Sequence, residues 1–173
     1  MEKLLLLSQA DTGRLALHRE RTDLGRMLAN VVEDCAALAP GLQLESSLTP
    51  GIEVEADTVL LEQALQNLTG NAIKYNQPGG RIRVMLTASD TQARVAIGNT
   101  GPDIAHEDRP RIFERFFRAD RARRRDRTGG VGLGLSLSRE IMRAHGGELV
   151  LAPAEEGWTT LIATLPRAGS GAT

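Results

Sequence analysis

The chain has 173 residues, a formal net charge of -1, 41% hydrophobic residues and only 3% aromatic ones. This composition suits one domain whose core rests on Leu, Val, Ile and Ala, and it excludes an intrinsically disordered chain. The near-zero charge gives no electrostatic footprint for nucleic acid or a membrane surface, and the lone Cys35 excludes an internal disulfide and a multi-cysteine metal site.

In chain order, the first expectation is a helix end followed by a turn at Asp11-Thr12-Gly13. Four leucines, Leu4 to Leu7, have little to pack against within so short a helix, so residues 1–17 read as the stump of a longer element. The run is also far short of the roughly 20 apolar residues that span a bilayer. It lacks the basic flank and cleavage site of a signal peptide, and the chain is expected to be soluble. Asp23 begins a second helix through Leu38, with Leu24, Met27, Leu28, Val31, Val32 and Cys35 on one face and Cys35 as a buried thiol. Pro40-Gly41 ends it. Short strands follow near Leu42 to Leu48 and Ile52 to Glu55.

Asp57 is an N-cap for the next helix, in which Leu61, Ala64, Leu65, Leu68 and Ala72 repeat at helical spacing before Pro78-Gly79-Gly80. Arg81 to Ala88 and Gln92 to Gly98 alternate like paired strands, whereas residues 99–130 keep no period, the mark of a functional or mobile stretch. A helix from about Gly132 to Ala144 stops at His145-Gly146-Gly147, and strands near Glu148 to Leu151 and Thr159 to Leu165 close the domain. The sum is a two-layer α/β (α+β) sandwich, a mixed and mainly antiparallel sheet with helices on one face. Without strict βαβ alternation it is not a Rossmann sheet. Residues 18–167 are expected to form the domain and 168–173 a flexible tail.

Asn67, Asn71 and Lys74 stand at i, i+4 and i+7, on one side of their helix and beside the leucine stripe. Asparagine offers a neutral oxygen suited to a hard cation such as Mg²⁺ beside phosphate, lysine a compact positive charge, and Tyr75 a ring for stacking or a hydroxyl for hydrogen bonding. By spacing alone, a solvated polar face fits equally well. Gly129-Gly130-Val131-Gly132-Leu133-Gly134 precedes a helix, where free N–H groups form an anion site. It lacks the lysine of a Walker A loop, and Leu135 stands where the dinucleotide motif requires glycine. Taken alone, the cluster also fits a hinge.

Together these pieces resemble the ATP-binding domain of sensor histidine kinases, relatives of gyrase, Hsp90 and MutL ATPases, over about residues 20–167. Asn67-Leu-Thr-Gly-Asn71-Ala-Ile-Lys74-Tyr75 resembles the family's N box, Asn99-Thr-Gly101-Pro-Asp103-Ile104 its G1 box, Ile112-Phe113-Glu114-Arg115-Phe116-Phe117-Arg118 its F box, and Gly130-Val131-Gly132-Leu133-Gly134-Leu135 its G2 box. The resemblance implies the Bergerat-type fold and ATP with Mg²⁺ as ligands. It implies that Asn71 holds the metal with Asn67 nearby, that Lys74 binds phosphate, and that Tyr75, Asp103, Ile104 and Phe117 line the nucleotide pocket. Asn99 then meets the adenine amino group, Gly101 lets backbone approach the base, and Gly130 to Gly134 cradle phosphates. Residues between Gly101 and Gly130 form a lid anchored by Phe113, Phe116 and Phe117, with core packing the alternative for each. Arg115 or Arg118 reaches the γ-phosphate, and Arg121, Arg123, Arg124, Arg125 and Arg127 help dock the lid or form a solvated basic loop.

Two residues depart from the family's pattern. Asn99 replaces an Asp, keeping an acceptor oxygen without its charge, and Asp103 replaces a glycine. Asn67 stands where gyrase-like relatives carry a water-activating Glu, and an amide cannot act as a general base. This points to phosphoryl transfer rather than rapid hydrolysis. The family's acceptor is a histidine on a dimerisation domain, and none of His18, His106 and His145 has that setting. The resemblance therefore implies a catalytic fragment, with residues 1–17 as the end of a dimerisation helix and its linker. It further implies a response regulator as partner, a homodimeric full-length protein, and a cytoplasmic domain of a protein anchored in the inner membrane. The rival expectation is a non-catalytic nucleotide-sensing module of the same fold.

Overall fold

A computed structural model describes residues 2–118 and 132–169. In chain order these carry α1 (Glu2–Asp11), β1 (Glu20–Asp23), α2 (Leu24–Leu38), β2 (Gln43–Leu48), β3 (Glu53–Ala56), α3 (Thr58–Lys74), β4 (Arg81–Ala88), β5 (Gln92–Asn99), a 3₁₀ turn (Arg109–Arg111), α4 (Gly134–Ala144), β6 (Glu148–Leu151) and β7 (Thr159–Pro166). A five-stranded sheet runs β2-β4-β5-β7-β6. Only its β2–β4 pair is parallel. β1 and β3 form a separate antiparallel pair.

One face of the large sheet is apolar and covered. Ile82, Val84 and Leu86 of β4 alternate inward, as do Val95 and Ile97 of β5 and Leu161, Ala163 and Leu165 of β7. They meet the buried stripes of α3 (Leu61, Leu65, Leu68) and α4 (Leu137, Ile141). This is the expected two-layer sandwich, and its inner-face alternation is what a sheet packed on one side requires. Cys35 is buried in α2, where burial pushes its thiol pKa up.

The helix starts follow the expected chemistry. Asp23 caps α2 by accepting from the Arg26 N–H, and Asp57 caps α3 by accepting from the Leu60 N–H at 3.1 Å. The second carboxylate oxygen of Asp57 accepts from the His18 N–H, and the Asp57 N–H donates to Nε2 of His145 at 3.0 Å. Nδ1 of His145 lies 2.7 Å from the Ile141 carbonyl. A donor facing Nε2 and an acceptor facing Nδ1 fix the neutral tautomer, with the proton on Nδ1. His145 thus ties the end of α4 to the start of α3, a structural role.

Two departures have local causes. β1 is four polar residues with only Thr22 buried, so no apolar alternation announces it. α4 begins at Gly134 rather than Gly132, because Gly132 adopts φ +78°, outside the helical region.

Candidate functional site

A cavity of about 930 Å³ lies between the C-terminal half of α3, the end of β5 and residues 102–117. Leu68, Ala72, Ile97, Ile104 and Leu161 give it apolar walls, and Asn71, Asn99, Asp103 and Thr159 supply polar groups. A large apolar pocket with a few convergent polar groups is the usual form of a small-molecule site. Helical geometry delivers one wall: the stripe ending in Leu68 and Ala72 faces the core, and Asn71 stands partly buried at its margin. Tyr75 follows one turn later as the C-cap of α3, its N–H donating to the Asn71 carbonyl at 3.0 Å.

The opposite wall is the last residue of β5. Asn99 is only 9% exposed, and its Nδ2 donates to the Thr100 carbonyl at 2.9 Å. Thr100 is itself held. Its N–H donates to the Arg81 carbonyl, while its hydroxyl accepts from the Arg81 N–H and donates to Oδ1 of Asn76, each of the hydroxyl bonds at 2.8 Å. Nδ2 of Asn76 donates to the Arg81 carbonyl. This clasp joins the end of α3 to the start of β4 and the end of β5. Gly101 has φ +133°, and a Cβ there would lie 2.4 Å from the Tyr75 carbonyl oxygen. Its glycine is thus required by the backbone of α3's C-cap.

The expected site residues divide into three groups. Asn71, Tyr75, Asn99, Asp103, Ile104 and Phe117 share the cavity, with Gly101 immediately behind it. Asn67, Lys74, Gly132, Leu133 and Gly134 lie outside its lining. Asn67 abuts the start of α4, where a Cβ on Gly134 would be 3.9 Å from its Cγ, and its buried Nδ2 has no hydrogen-bond partner among the described residues. Lys74 is exposed, with Nζ 5.3 Å from the centre of the Tyr75 ring. Gly130 and Val131 lie outside the described residues, as do Arg121, Arg123, Arg124, Arg125 and Arg127.

The F-box residues also divide. Phe113 and Phe117 pack against the core, each beneath a guanidinium, Arg139 and Arg111 respectively. Phe116 does not pack. It is 60% exposed at φ +63°, its N–H donating to the Gly132 carbonyl at 3.0 Å. Arg118 is exposed, and Arg115 forms an ion pair with Asp11 at 2.5 Å. In this arrangement Arg115 is directed to α1. Among the described residues no group of three or more His, Cys, Asp or Glu is placed to hold a metal ion. The oxygen of Asn71 remains as a donor of the type that suits a hard cation.

Asn76, Thr100 and Thr159 escaped the sequence reading. Asn76 and Thr100 meet across 24 positions, and Thr159 faces Asn99 only through the β5–β7 register. No local pattern carries either contact, though Asn76 directly follows the motif of α3.

A two-layer sandwich whose Asn-bearing helix and strand end enclose such a cavity has the form of a small-molecule-binding domain. The chain belongs to the histidine kinase-, DNA gyrase B- and HSP90-like ATPase family, whose model matches residues 56–169. Among similar proteins, it is 34% identical over 172 residues to the sensor protein CutS of Streptomyces coelicolor, covering 96% of this chain and 40% of that protein. It is 33% identical over 167 residues to the sensor histidine kinase CusS of Escherichia coli O157:H7, covering 96% of this chain and 34% of that one. The chain thus spans well under half the length of these relatives. Among solved structures it is similar to the mycobacterial sensor histidine kinase MprB, with TM-score 0.76 and 31% identity over 86% of this chain and 98% of that one. Full-length ShkA in complex with AMPPNP matches with TM-score 0.82 and 25% identity, over 96% of this chain and 35% of that one. No helix among the described residues is long and apolar enough to cross a membrane.

Proposed function

We propose that this chain is the catalytic ATP-binding part of a sensor histidine kinase, holding Mg-ATP and donating its γ-phosphoryl group to a histidine on a dimerisation domain outside the chain. The observation that carries this reading is the meeting of Asn71, Tyr75, Asn99, Asp103, Ile104 and Phe117, from three separate stretches of sequence, on one cavity. The complex of the similar ShkA with AMPPNP supports a nucleotide as occupant.

In this reading Asn99 accepts from the adenine amino group, Gly101 lets that wall come close, Tyr75 and Ile104 flank the nucleoside, and Asp103 and Phe117 close its outer side. Asn71 gives its amide oxygen to Mg²⁺, which neutralises phosphate charge when bound. This ion is satisfied by one or two protein oxygens with phosphate and water, so the donor set fits without an acidic cluster. Lys74 pairs with phosphate. The N–H groups from Gly130, Val131, Gly132, Leu133 and Gly134 receive phosphate oxygens at the start of α4. The orphan Nδ2 of Asn67, beside Gly134, supports an acceptor arriving there. Asn67 positions this end without acting as a base. Arg118 stabilises the transferring γ-phosphoryl group, and Arg115 joins it once released from Asp11.

By resemblance to the named sensor kinases, residues 1–17 end a dimerisation helix, 18–167 form the catalytic domain and 168–173 a tail. The full protein is a membrane-anchored homodimer with this domain in the cytoplasm and a response regulator as partner. The second reading, a nucleotide-sensing module, is favoured by Asn99 and Asp103 at positions where the family keeps Asp and Gly. Incubation with γ-labelled ATP, Mg²⁺ and a separately produced dimerisation domain separates them. Stable label is expected on the added domain and none on this chain alone. Nucleotide binding without transfer would establish the sensing module instead.

A further inference from the structure

Residues 102–117 form one wall of the cavity, and their backbone does little to fix it in place. Apart from the 3₁₀ turn the stretch has no regular structure. Its main-chain hydrogen bonds are local: Asp108 and Arg109 donate to Ala105, Arg111 to Asp108, Glu114 to Arg111 and Phe117 to Glu114. The one that leaves the stretch runs from Phe116 to Gly132, which precedes α4. Two side-chain ties also go to helices, Arg139 of α4 over Phe113 and Arg115 to Asp11 of α1. Ile112, Phe113 and Phe117 pack on the core. Apolar packing is non-directional, so it presses the wall down without setting where it lies along the sheet.

Arg109 supplies the missing direction. It is half-buried at the start of the 3₁₀ turn, and its Nη2 donates to the Ala152 carbonyl at 2.5 Å, across 43 positions of sequence. Ala152 stands one residue beyond β6 and continues the β6–β7 pairing, its N–H donating to the Thr160 carbonyl at 2.9 Å. Thr159 and Leu161, on either side of Thr160, line the cavity. Among the described residues the Arg109 bond is the only hydrogen bond from residues 102–117 to this end of the sheet. Its donor is a permanently charged guanidinium, which makes it stronger than a bond between neutral groups. Arg109 itself does not line the cavity, whereas its neighbour Asp108 does. We propose that Arg109 is a positioning residue: its bond to Ala152 fixes the 102–117 wall against the β6–β7 end of the sheet, and the preformed cavity holds its nucleotide longer as a result. This rests on the reading that the cavity takes a nucleotide. Arg109 acts through the wall and touches no part of the ligand.

The test is stopped-flow binding of ATP carrying a fluorescent group on its ribose, with Mg²⁺, together with the binding stoichiometry, for the wild type, Arg109→Met and Arg109→Lys. Methionine keeps an apolar stem and removes every donor, whereas lysine keeps a charged donor. Arg109→Met is expected to raise the dissociation rate about tenfold, the scale of one charge-assisted hydrogen bond, while the association rate changes far less. Arg109→Lys is expected to recover much of that difference. A merely structural loss would reduce the fraction of chain able to bind, and so the stoichiometry, and would leave the dissociation rate of the folded fraction unmoved. A dissociation rate unchanged in Arg109→Met overturns the proposal, and so does one as fast in Arg109→Lys as in Arg109→Met. Should Arg109→Met not fold, Arg109→Gln, whose shorter neutral side chain falls short of Ala152, carries the same expectation, and an unchanged rate there overturns the proposal equally. Failure of the wild type to bind the nucleotide overturns instead the underlying reading of the cavity.

Discussion

Asn71 and Asn99 reach the same cavity from opposite walls and are legible in sequence to different degrees. Asn71 was marked by spacing: with Asn67 and Lys74 it forms a polar side next to a leucine stripe, and helical geometry alone puts it at the edge of the core. Asn99 was marked only by family resemblance, because its surroundings come from Thr100, Asn76 and Arg81, brought together by the β4–β5 register. Asn71→Ala removes the amide from the wall without emptying the core. It is expected to weaken ATP binding at least about tenfold in the presence of Mg²⁺ and to move the melting temperature little, checked by titration and thermal denaturation on one preparation. Gly101→Ala would force a Cβ against the Tyr75 carbonyl at a φ that side chains avoid, and should cost on the order of 1–3 kcal/mol in chemical denaturation.

His145 carries a pH dependence at the same scale. Burial lowers its pKa, the nearby Arg19 charge lowers it further, and the Ile141 carbonyl and Asp57 only partly oppose this. The folded chain therefore holds the ring neutral more strongly than the unfolded chain does. The stability this contributes is fully present above the unfolded value of about 6.5 and is lost as pH falls below it. Melting temperatures measured from about pH 7.5 down to about pH 5.5 should fall, and His145→Gln should flatten that part of the profile. Asp57 adds to the trend only in stronger acid. Burial would raise its carboxyl, but the Leu60 and His18 N–H groups and the neighbouring histidines hold it below the ordinary carboxylate value.

Elements were easier to read than single contacts. α2, α3 and α4 each carry an apolar stripe at helical period, and Asp23 and Asp57 are capping residues visible in the sequence. β4 alternates between buried and more exposed residues, and β5 does so from Gln92 to Val95 before its last four residues are all buried. β1 has no such pattern and exists because β3 offers a pairing edge. The α3–α4 contact is where the candidate site gains rigidity. Leu137 is fully buried, and the Ser138 hydroxyl donates to the Ala64 carbonyl across the helices at 3.3 Å. Leu137→Ala should therefore destabilise by about 2–5 kcal/mol in denaturant titration. The Arg115–Asp11 pair between α1 and the F box is of another kind. Its side chains are 38% and 50% exposed, so Asp11→Asn should change stability by no more than about 1 kcal/mol. That weakness suits the proposed release of Arg115 from α1.

For the whole molecule, the two-layer class followed from mixing strand pairs with helices, and the sheet order did not. Nothing local states that β2 lies parallel to β4 while β3, only four residues beyond β2, joins β1 in another sheet. Such choices depend on which apolar faces find each other after the chain has crossed between layers. The glycine cluster proposed to hold phosphate was legible in the sequence, yet part of it lies outside the described residues, and the cavity gathers the residues proposed to hold the nucleoside more completely. The central claim is that this cavity holds a nucleotide through Asn71 and a magnesium ion. Equilibrium dialysis of radiolabelled ATP against the wild type and Asn71→Ala, with Mg²⁺ and with a chelator, tests it most directly. Saturable binding by the wild type with Mg²⁺, weakened alike by chelation and by Asn71→Ala, is the expected result. Absence of binding at millimolar ATP, or binding indifferent to both changes, would contradict it.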